Sequence, residues 1–174
     1  MYIQYYDKFE FDRDASKFYS YTKKFIPHLG YLSYFLVSNF GYIKNNLEFN
    51  ISKLNTVERM GWNDDEIAID QKNGFVYLGV VPDFCCDEEY DDIYEEKMKD
   101  KSFLQLYQEN LLDHMTIPKD NFFHILRIWK KYLEEKPSFV LLYQDENNWF
   151  DVLPFNSKEE MEQFVKDYQS EIVH

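Results

Sequence analysis

The stretch Asp83–Asp100, DFCCDEEYDDIYEEKMKD, holds the chain's two cysteines and nine acidic residues against two lysines. Thiolates and carboxylates are metal ligands, so zinc and calcium are the first chemistries to consider. Zinc sites separate their cysteines by about two to four residues, whereas Cys85 and Cys86 are adjacent. A calcium loop needs a glycine at its sixth position, and the segment that starts at Asp87 has none. The sequence therefore predicts no metal and no cofactor.

Catalysis by a nucleophile also requires a base and an orienting group. The histidines are His28, His114, His124 and His174, and the chain has no G-x-S-x-G, P-loop or G-x-G-x-x-G motif. We expect His124 to lie on the solvated side of a helix, and His28 and His114 to be structural. No pair among the many carboxylates stands out by its spacing. We therefore predict no catalytic residue and no enzyme; the alternative is a hydrolase that uses carboxylates or a histidine.

The acidic stretch is better suited to binding a protein. On a helix its carboxylates would form one band beside Tyr90 and Tyr94, which are four residues apart. Tyrosine supplies rigid contact area, and carboxylates steer and pair with lysine or arginine. Trp62 is another aromatic residue beside acids. The predicted contact residues are Asp87, Glu88, Tyr90, Asp91, Asp92, Tyr94, Glu95, Glu96, Trp62, Asp64, Asp65 and Glu66. The alternative interpretation is a solvated loop that keeps an aromatic-rich chain soluble.

The charge of the whole chain points to the same class of partner. Its 32 acidic residues outnumber 19 lysines and arginines, which gives a formal net charge of −13. Such a field repels nucleic acids and anionic membranes and attracts basic proteins. The N-terminal MYIQYYDKFEF is not a signal peptide, and no apolar run is long enough to span a bilayer. With only two cysteines, these features indicate a cytoplasmic protein.

The first half of the chain mixes strand and helix patterns. YIQYYDKFEF alternates as a strand does, and DRDASKFYSYTKKF, with Asp12 or Asp14 as its cap, predicts a short helix. Apolar spacing predicts a buried helix over Leu29–Tyr42, which Gly41 helps to end. NNLEFNISKLN alternates again and predicts a strand. EIAIDQKNGFVYLGVV predicts a hairpin that turns at Asn73-Gly74.

The second half predicts a helix in SFLQLYQENLLDHM and a better marked one that ends before Pro137. The apolar stripe of that second helix is Phe122, Ile125, Leu126, Trp129 and Leu133. SFVLLYQ and WFDVLPF predict two strands around a turn, and Ser157 and Glu160 match a capping box before a terminal helix. No linker or repeat marks a boundary. The sequence therefore predicts one α+β domain over residues 1–174, with helices packed on a mixed or antiparallel sheet.

The segment NFFHILRIWKKYLEEKPSFVLLYQDENNWFDVLPF, Asn121–Phe155, resembles the C-terminal part of bacterial immunity proteins. These are the antitoxin partners of contact-dependent growth inhibition and related polymorphic toxin systems. The resemblance implies a cytoplasmic toxin inhibitor that blocks a cognate toxin domain, often a cationic nuclease, by occluding its active site. It carries over no individual site residue. An interaction protein with an unrelated partner is the other non-catalytic interpretation, and a homo-oligomer is compatible with either.

Overall fold

The computed structural model describes residues 2–7, 18–20, 31–32, 35–36, 40–56, 59–62, 65–80, 99–145, 147 and 149–171. In chain order its elements are β1 (Tyr2–Asp7), β2 (Phe18–Ser20), α1 (Phe40–Leu54), β3 (Arg59–Trp62), β4 (Asp65–Asp70), β5 (Phe75–Val80), α2 (Phe103–Gln108), β6 (Met115–Pro118), α3 (Lys119–Glu135), β7 (Phe139–Gln144), β8 (Phe150–Phe155) and α4 (Lys158–Glu171). The described strands form two antiparallel sheets. The predicted α+β class is confirmed.

The chain divides into two compact units. The first consists of Met1–Ile26 and His124–His174, and the second is Pro27–Phe123. Each unit has its own sheet, in the order β2-β1-β7-β8 for the first and β3-β4-β5-β6 for the second. The description of residues 1–174 as one domain stays a prediction.

In the first unit, α4 packs on β7 and β8. Leu141, Met161 and Val165 form the buried centre of this contact, with Phe155 and Phe164 beside them. Met161, Phe164 and Val165 recur at the spacing of three and four residues that a helix uses to bury one face.

The start of α4 carries the predicted cap. The Glu160 backbone N–H donates to Ser157 Oγ at 3.2 Å. The Glu160 carboxylate accepts from the N–H of Asn156 at 3.1 Å, one residue before the position that a standard capping box uses. Both bonds satisfy backbone donors near the helix start, so the Ser157–Glu160 pattern is confirmed with that shift.

In the second unit, the predicted β4–β5 hairpin is confirmed. Asp70 pairs with Phe75 across it, and Gly74 has a φ of 74°, a conformation that glycine adopts without strain. The buried Asp70 carboxylate accepts from the backbone N–H and the side-chain amide of Asn73, at 2.9 and 2.7 Å. The turn at Asn73-Gly74 is thus stabilised by Asp70, the acidic residue three positions before Asn73.

The predicted strand NNLEFNISKLN is wrong, because these residues belong to α1. The helix is kinked at Asn46, whose φ of −132° is not helical. Among its described side chains the buried ones are Ile43, before the kink, and Leu47, Ile51 and Leu54 after it, at the spacing of three or four that is typical of a helix. The alternation of Leu47 and Ile51 with polar neighbours is compatible with both periods over so short a segment. Gly41 lies inside α1 and does not end a helix, although residues 31–32 and 35–36 are helical as predicted.

Two further predictions fail at short elements. Phe18–Ser20, expected within a helix, is a strand paired with β1. The helix predicted in SFLQLYQENLLDHM stops at Gln108, because Asn110 takes a φ of 54° and the chain closes a Schellman motif. In that motif the N–H of Leu111 donates to Leu106 O at 2.9 Å, and the N–H of Asn110 donates to Tyr107 O at 3.0 Å. The chain then enters β6, a strand absent from the prediction.

Helix α3 agrees with its sequence pattern. Phe122, Ile125, Leu126, Trp129 and Leu133 are all buried. Lys136 has a φ of 51° and donates its N–H to Tyr132 O at 2.8 Å, which ends the helix one residue before Pro137.

We expect Gly79→Ala to destabilise the protein. A Cβ at Gly79 would lie 2.8 Å from Cε1 of the Tyr107 ring, and Tyr107 is buried and cannot move freely aside. Overpacking of this kind costs about 1–3 kcal/mol in the free energy of unfolding, which urea titration measures. Thr116→Ala, at an exposed position of β6, is the control. A loss for Gly79→Ala no larger than that of the control would contradict the close approach.

Candidate binding surface around Trp149

Most of the predicted contact residues lie outside the described residues. These contact residues are Asp64, Asp87, Glu88, Tyr90, Asp91, Asp92, Tyr94, Glu95 and Glu96. Four residues considered for metal binding or catalysis also lie outside the described residues: Cys85, Cys86, His28 and His174. The backbone of Trp62 ends β3, and its strand register pairs it with Asp65. Gly61 pairs with Glu66 in the same ladder. The fold therefore brings Trp62 and the two acids together in backbone register, and their role in binding stays a prediction.

A second aromatic residue beside acids stands out in the first unit. Among the described residues, the exposed large hydrophobic side chains are those of Phe75 and Trp149, each with 37 % exposed. Trp149 follows the turn between β7 and β8, in the sequence DENNWFD. This pattern matches the acid-flanked arrangement that selects Trp62, and it could have identified Trp149 as well.

The Asp145 side chain fixes the backbone at Trp149. Its Oδ1 accepts from the N–H groups of Asn147 and Trp149, both at 2.8 Å. The Asp145 N–H donates in return to Trp149 O at 2.9 Å. An aspartate that bonds to backbone groups two and four residues ahead stabilises a tight loop. Trp149 is therefore held in one backbone position although its side chain is partly exposed.

His124 on α3 supports the indole ring. The two ring centroids are 5.7 Å apart, and His124 Nε2 lies 3.3 Å from Asp151 Oδ1 on β8. The His124 side chain is 41 % exposed, so it lies on a solvated side of α3 as predicted. The prediction did not include its two partners, Trp149 and Asp151. The sequence gives no indication of the His124–Asp151 contact, because the two residues are 27 positions apart. A contact between a helix and a distant strand does not appear in helical spacing.

A histidine beside a carboxylate is also the arrangement of a general base with its orienting group. Within the part of the chain that the structure describes, no serine, threonine or cysteine bonds to His124. Asp151 Oδ1 is moreover shared with the N–H of Val152, at 2.7 Å. The pair thus positions Trp149 and β8 and forms no nucleophilic triad with the described residues.

Strand β8 is the edge strand of its sheet, as far as the described strands show. The alternation of its hydrogen bonds to β7 shows which of its backbone groups face away from the sheet. The Asp145 N–H donates to Trp149 O, and hydrogen-bonded positions alternate along an antiparallel ladder. Asp151 is therefore bonded to β7, whereas the backbone groups of Val152 and Pro154 point to the open edge.

Both backbone groups of Val152 are bonded within the chain, and position 154 offers no donor. Asp151 Oδ1 accepts the Val152 N–H, the Tyr132 hydroxyl on α3 donates to Val152 O at 3.4 Å, and Pro154 has no N–H. Burial, followed by the charges of Asp151 and Glu135, raises the pKa of Tyr132, which keeps its hydroxyl protonated as a donor. Edge strands protected in this way resist pairing with another chain.

The second unit contains a separate cluster around His114. The ring lies 5.3 Å from Tyr77 and 5.1 Å from Tyr107, and its Nδ1 is 2.8 Å from Leu112 O. Gln108 joins this cluster to the hairpin by donating to Asp70 Oδ2 at 2.9 Å. These contacts fasten the short helix α2 to the sheet and account for His114 as a structural residue.

The Asp70 carboxylate is stabilised in its charged form. Hydrogen bonds from the side chain and then the backbone of Asn73 lower the pKa of Asp70, against the opposing effect of burial. Gln108 and the backbone N–H of Lys72 add to the lowering. Burial, followed by the Asp70 charge, raises the pKa of Tyr77.

Neither a metal site nor a membrane span is found where the structure describes the chain. In the described ranges no group of three or more histidine, cysteine or acidic side chains could hold a metal ion. None of the described helices is long and apolar enough to cross a membrane. No family model, curated protein or solved structure matches the chain. The site is therefore argued from its own geometry.

We expect Asp70→Asn to lower stability in a pH-dependent way. The folded carboxyl binds its proton less tightly than the unfolded one, so its contribution is complete above the unfolded pKa of about 4. It disappears as the pH falls through the lower folded value. Urea titration should show a loss of about 1–3 kcal/mol at pH 7, which shrinks below pH 4. Exposed Asp100→Asn is the control, and a pH-independent loss would contradict this role.

We expect Asp151→Val combined with Pro154→Val to cause self-association. The double change releases the Val152 N–H and restores a donor at position 154, so the β8 edge can accept another strand. Analytical ultracentrifugation over a concentration series measures the effect, with circular dichroism as the test of folding. Asp120→Val removes one exposed acid elsewhere on the chain and is the control. A folded double variant with the parent's sedimentation would show that the edge is closed by something else.

Proposed function

We propose that this chain is an immunity protein, which binds a cognate toxin domain in the bacterial cytoplasm and neutralises it by occluding its active site. The proposed partner is basic, and a nuclease suits it best. The resemblance of Asn121–Phe155 and the net charge of −13 support the proposal. That segment forms α3 and the β7–β8 hairpin, which carry the surface around Trp149.

The electrostatic argument rests on what a nuclease must do. Its active site attracts phosphates and is therefore cationic, so an inhibitor that presents carboxylates competes for the same field. The acidic stretch Asp83–Asp100 carries a net charge of −7 and suits this steering role. Charge alone gives fast encounter, whereas a long-lived complex also needs aromatic anchors at the centre of the contact.

The observation that carries the proposal is the partly exposed Trp149 side chain on a fixed backbone. Trp149 packs on His124, and Asp145 holds its loop. A rigid, exposed tryptophan beside carboxylates is the kind of residue that dominates binding energy in protein interfaces. The chain thus offers a short-range anchor in the first unit and a strongly acidic stretch for long-range attraction.

Co-expression tests the proposal directly. The chain would be produced with the C-terminal domain of the protein encoded immediately upstream, and the mixture run on a sizing column in moderate salt. A stable complex is expected, with cells that survive the toxin domain only when both are present. If the neighbouring domain is not toxic and forms no complex, the immunity proposal is wrong.

We expect the combined change of Asp91 and Asp92 to Asn, and of Glu95 and Glu96 to Gln, to slow association with the toxin domain. Steering by opposite charge raises association rates, so the loss should be about tenfold or more at low salt and should shrink as salt rises. Stopped-flow measurements at several salt concentrations give both quantities.

The matched control removes the same formal charge elsewhere, through Glu to Gln changes at Glu48, Glu134, Glu135 and Glu159, all exposed. It should slow association much less, because its acids lie outside the acidic stretch. Equal effects from both sets would mean that overall charge steers the encounter. An unchanged rate and salt dependence in the first set would exclude the acidic stretch as the docking site.

A further inference from the structure

We propose that Trp149, together with Asp145 and Asp151, receives an arginine side chain of the partner. This inference rests on the proposed function for the identity of the partner, and it adds the chemistry that the surface recognises. The three residues are brought together by the β7–β8 hairpin, and His124 on α3 supports the indole ring.

The first argument is that Trp149 is ordered before binding. Its N–H and carbonyl oxygen are both bonded to Asp145, and its ring packs on His124. A side chain that is already positioned loses little conformational entropy when a partner arrives. An exposed aromatic surface in one fixed place is therefore a binding platform rather than a mobile loop tip.

The second argument is the charge beside the platform. The described residues give Asp145 and Asp151 hydrogen bonds at Oδ1 in each case. No described lysine or arginine forms an ion pair with either carboxylate, whereas the exposed acids Glu134 and Glu135 pair with lysines four residues earlier. The two carboxylates thus belong to the same end of the hairpin as the exposed indole, with His124 as the described side-chain partner of Asp151.

Arginine is the side chain that matches both features. Its planar guanidinium stacks on an indole face while its N–H groups donate to carboxylate oxygens. Lysine is a compact, strongly hydrated charge that cannot stack in the same way. The preference also agrees with a basic partner for a chain of net charge −13. An apolar partner side chain would gain nothing from Asp145 and Asp151 and would bury their charges.

The first test needs no toxin. Tetra-arginine and tetra-lysine peptides would be titrated into the isotopically labelled chain, and the three tryptophan indole N–H signals followed by NMR. Trp149→Phe assigns the Trp149 signal. We expect that signal to shift in a saturable way with tetra-arginine, at least about threefold more tightly than with tetra-lysine, and the tetra-arginine shift to weaken in Asp151→Asn. Shifts confined to Trp62 or Trp129, or equal responses to both peptides, would overturn the proposal.

The second test uses the complex with the toxin domain. Trp149→Leu should weaken binding about tenfold or more, Trp149→Phe should weaken it less, and Asp151→Asn should weaken it and flatten its salt dependence. Phe75→Leu is the control, because Phe75 is equally exposed and lies in the other unit. If Trp149→Leu binds as tightly as the parent, the platform is not used.

The two tests separate two failures. If the parent forms no complex with the toxin domain, the immunity proposal fails, and the peptide titration still decides whether the surface prefers arginine. If the complex forms but Trp149→Leu and Asp151→Asn leave it unchanged, the immunity proposal survives and the arginine inference is wrong.

Discussion

The pairing of β1 with β7 is the constraint on which the first unit depends. Tyr2 pairs with Gln144 and Asp7 with Phe139, so this ladder joins residues from near the two ends of the chain. Without it, β2 has no sheet to join, and the β7–β8 hairpin would be a two-stranded ribbon that is marginal in water. Closing so long a loop costs entropy before any contact forms. The ladder is therefore a non-local contact, whose entropy cost the remaining contacts of the unit must offset.

The sheet of the second unit, in contrast, is built from strands that are close together in the sequence. The strands β3, β4, β5 and β6 pair in sequence order, and β4–β5 is a tight hairpin. Such local contacts are reached with little loss of chain entropy. The unit is an insertion between the two segments of the first, Met1–Ile26 and His124–His174. In the sequence, a unit whose strands pair with their neighbours therefore separates the two segments of the first unit.

Asp151 shows how one side chain links edge and surface in the first unit. The same Oδ1 that caps the Val152 N–H also contacts His124 Nε2. His124 supports Trp149, and Tyr132 from the same helix bonds to Val152 O. The side of β8 that could recruit another strand is thereby closed, while Trp149 at its start stays partly exposed.

The sequence predicts the elements whose own residues dictate their geometry. The β4–β5 hairpin follows from Asn73-Gly74, and α3 follows from an apolar stripe that continues over four turns. The prediction for residues 45–55 fails because a short alternating segment suits a strand as well as a helix, and only burial of Ile43, Leu47, Ile51 and Leu54 decides between them. β2 and β6 are three and four residues long, and their conformation comes from partner strands rather than from propensity.

The surface around Trp149 also combines a part fixed by local residues with a part that depends on residues distant in the sequence. The loop that holds it is local, since Asp145 bonds to residues two and four positions ahead, and the letters DENNWFD contain everything that it needs. The support from His124 is not local, because it requires α3 to lie beside β8. The sequence analysis did not select Trp149, although the pattern DENNWFD could have identified it, whereas no local pattern could have identified the supporting ring of His124.

Steering and anchoring place different demands on a binding protein, and under the proposed function two different parts of this chain would meet them. Steering depends on net charge summed over a distance of about 8 Å in physiological salt, so the acids that provide it need no single conformation. Anchoring depends on contacts at van der Waals distance, so the residue that provides it must already be in place. The acidic stretch Asp83–Asp100 meets the first demand through its composition. Trp149 meets the second through Asp145 and His124. An arginine held between the indole and the carboxylates would use both, since it is drawn by the charge and retained by the ring.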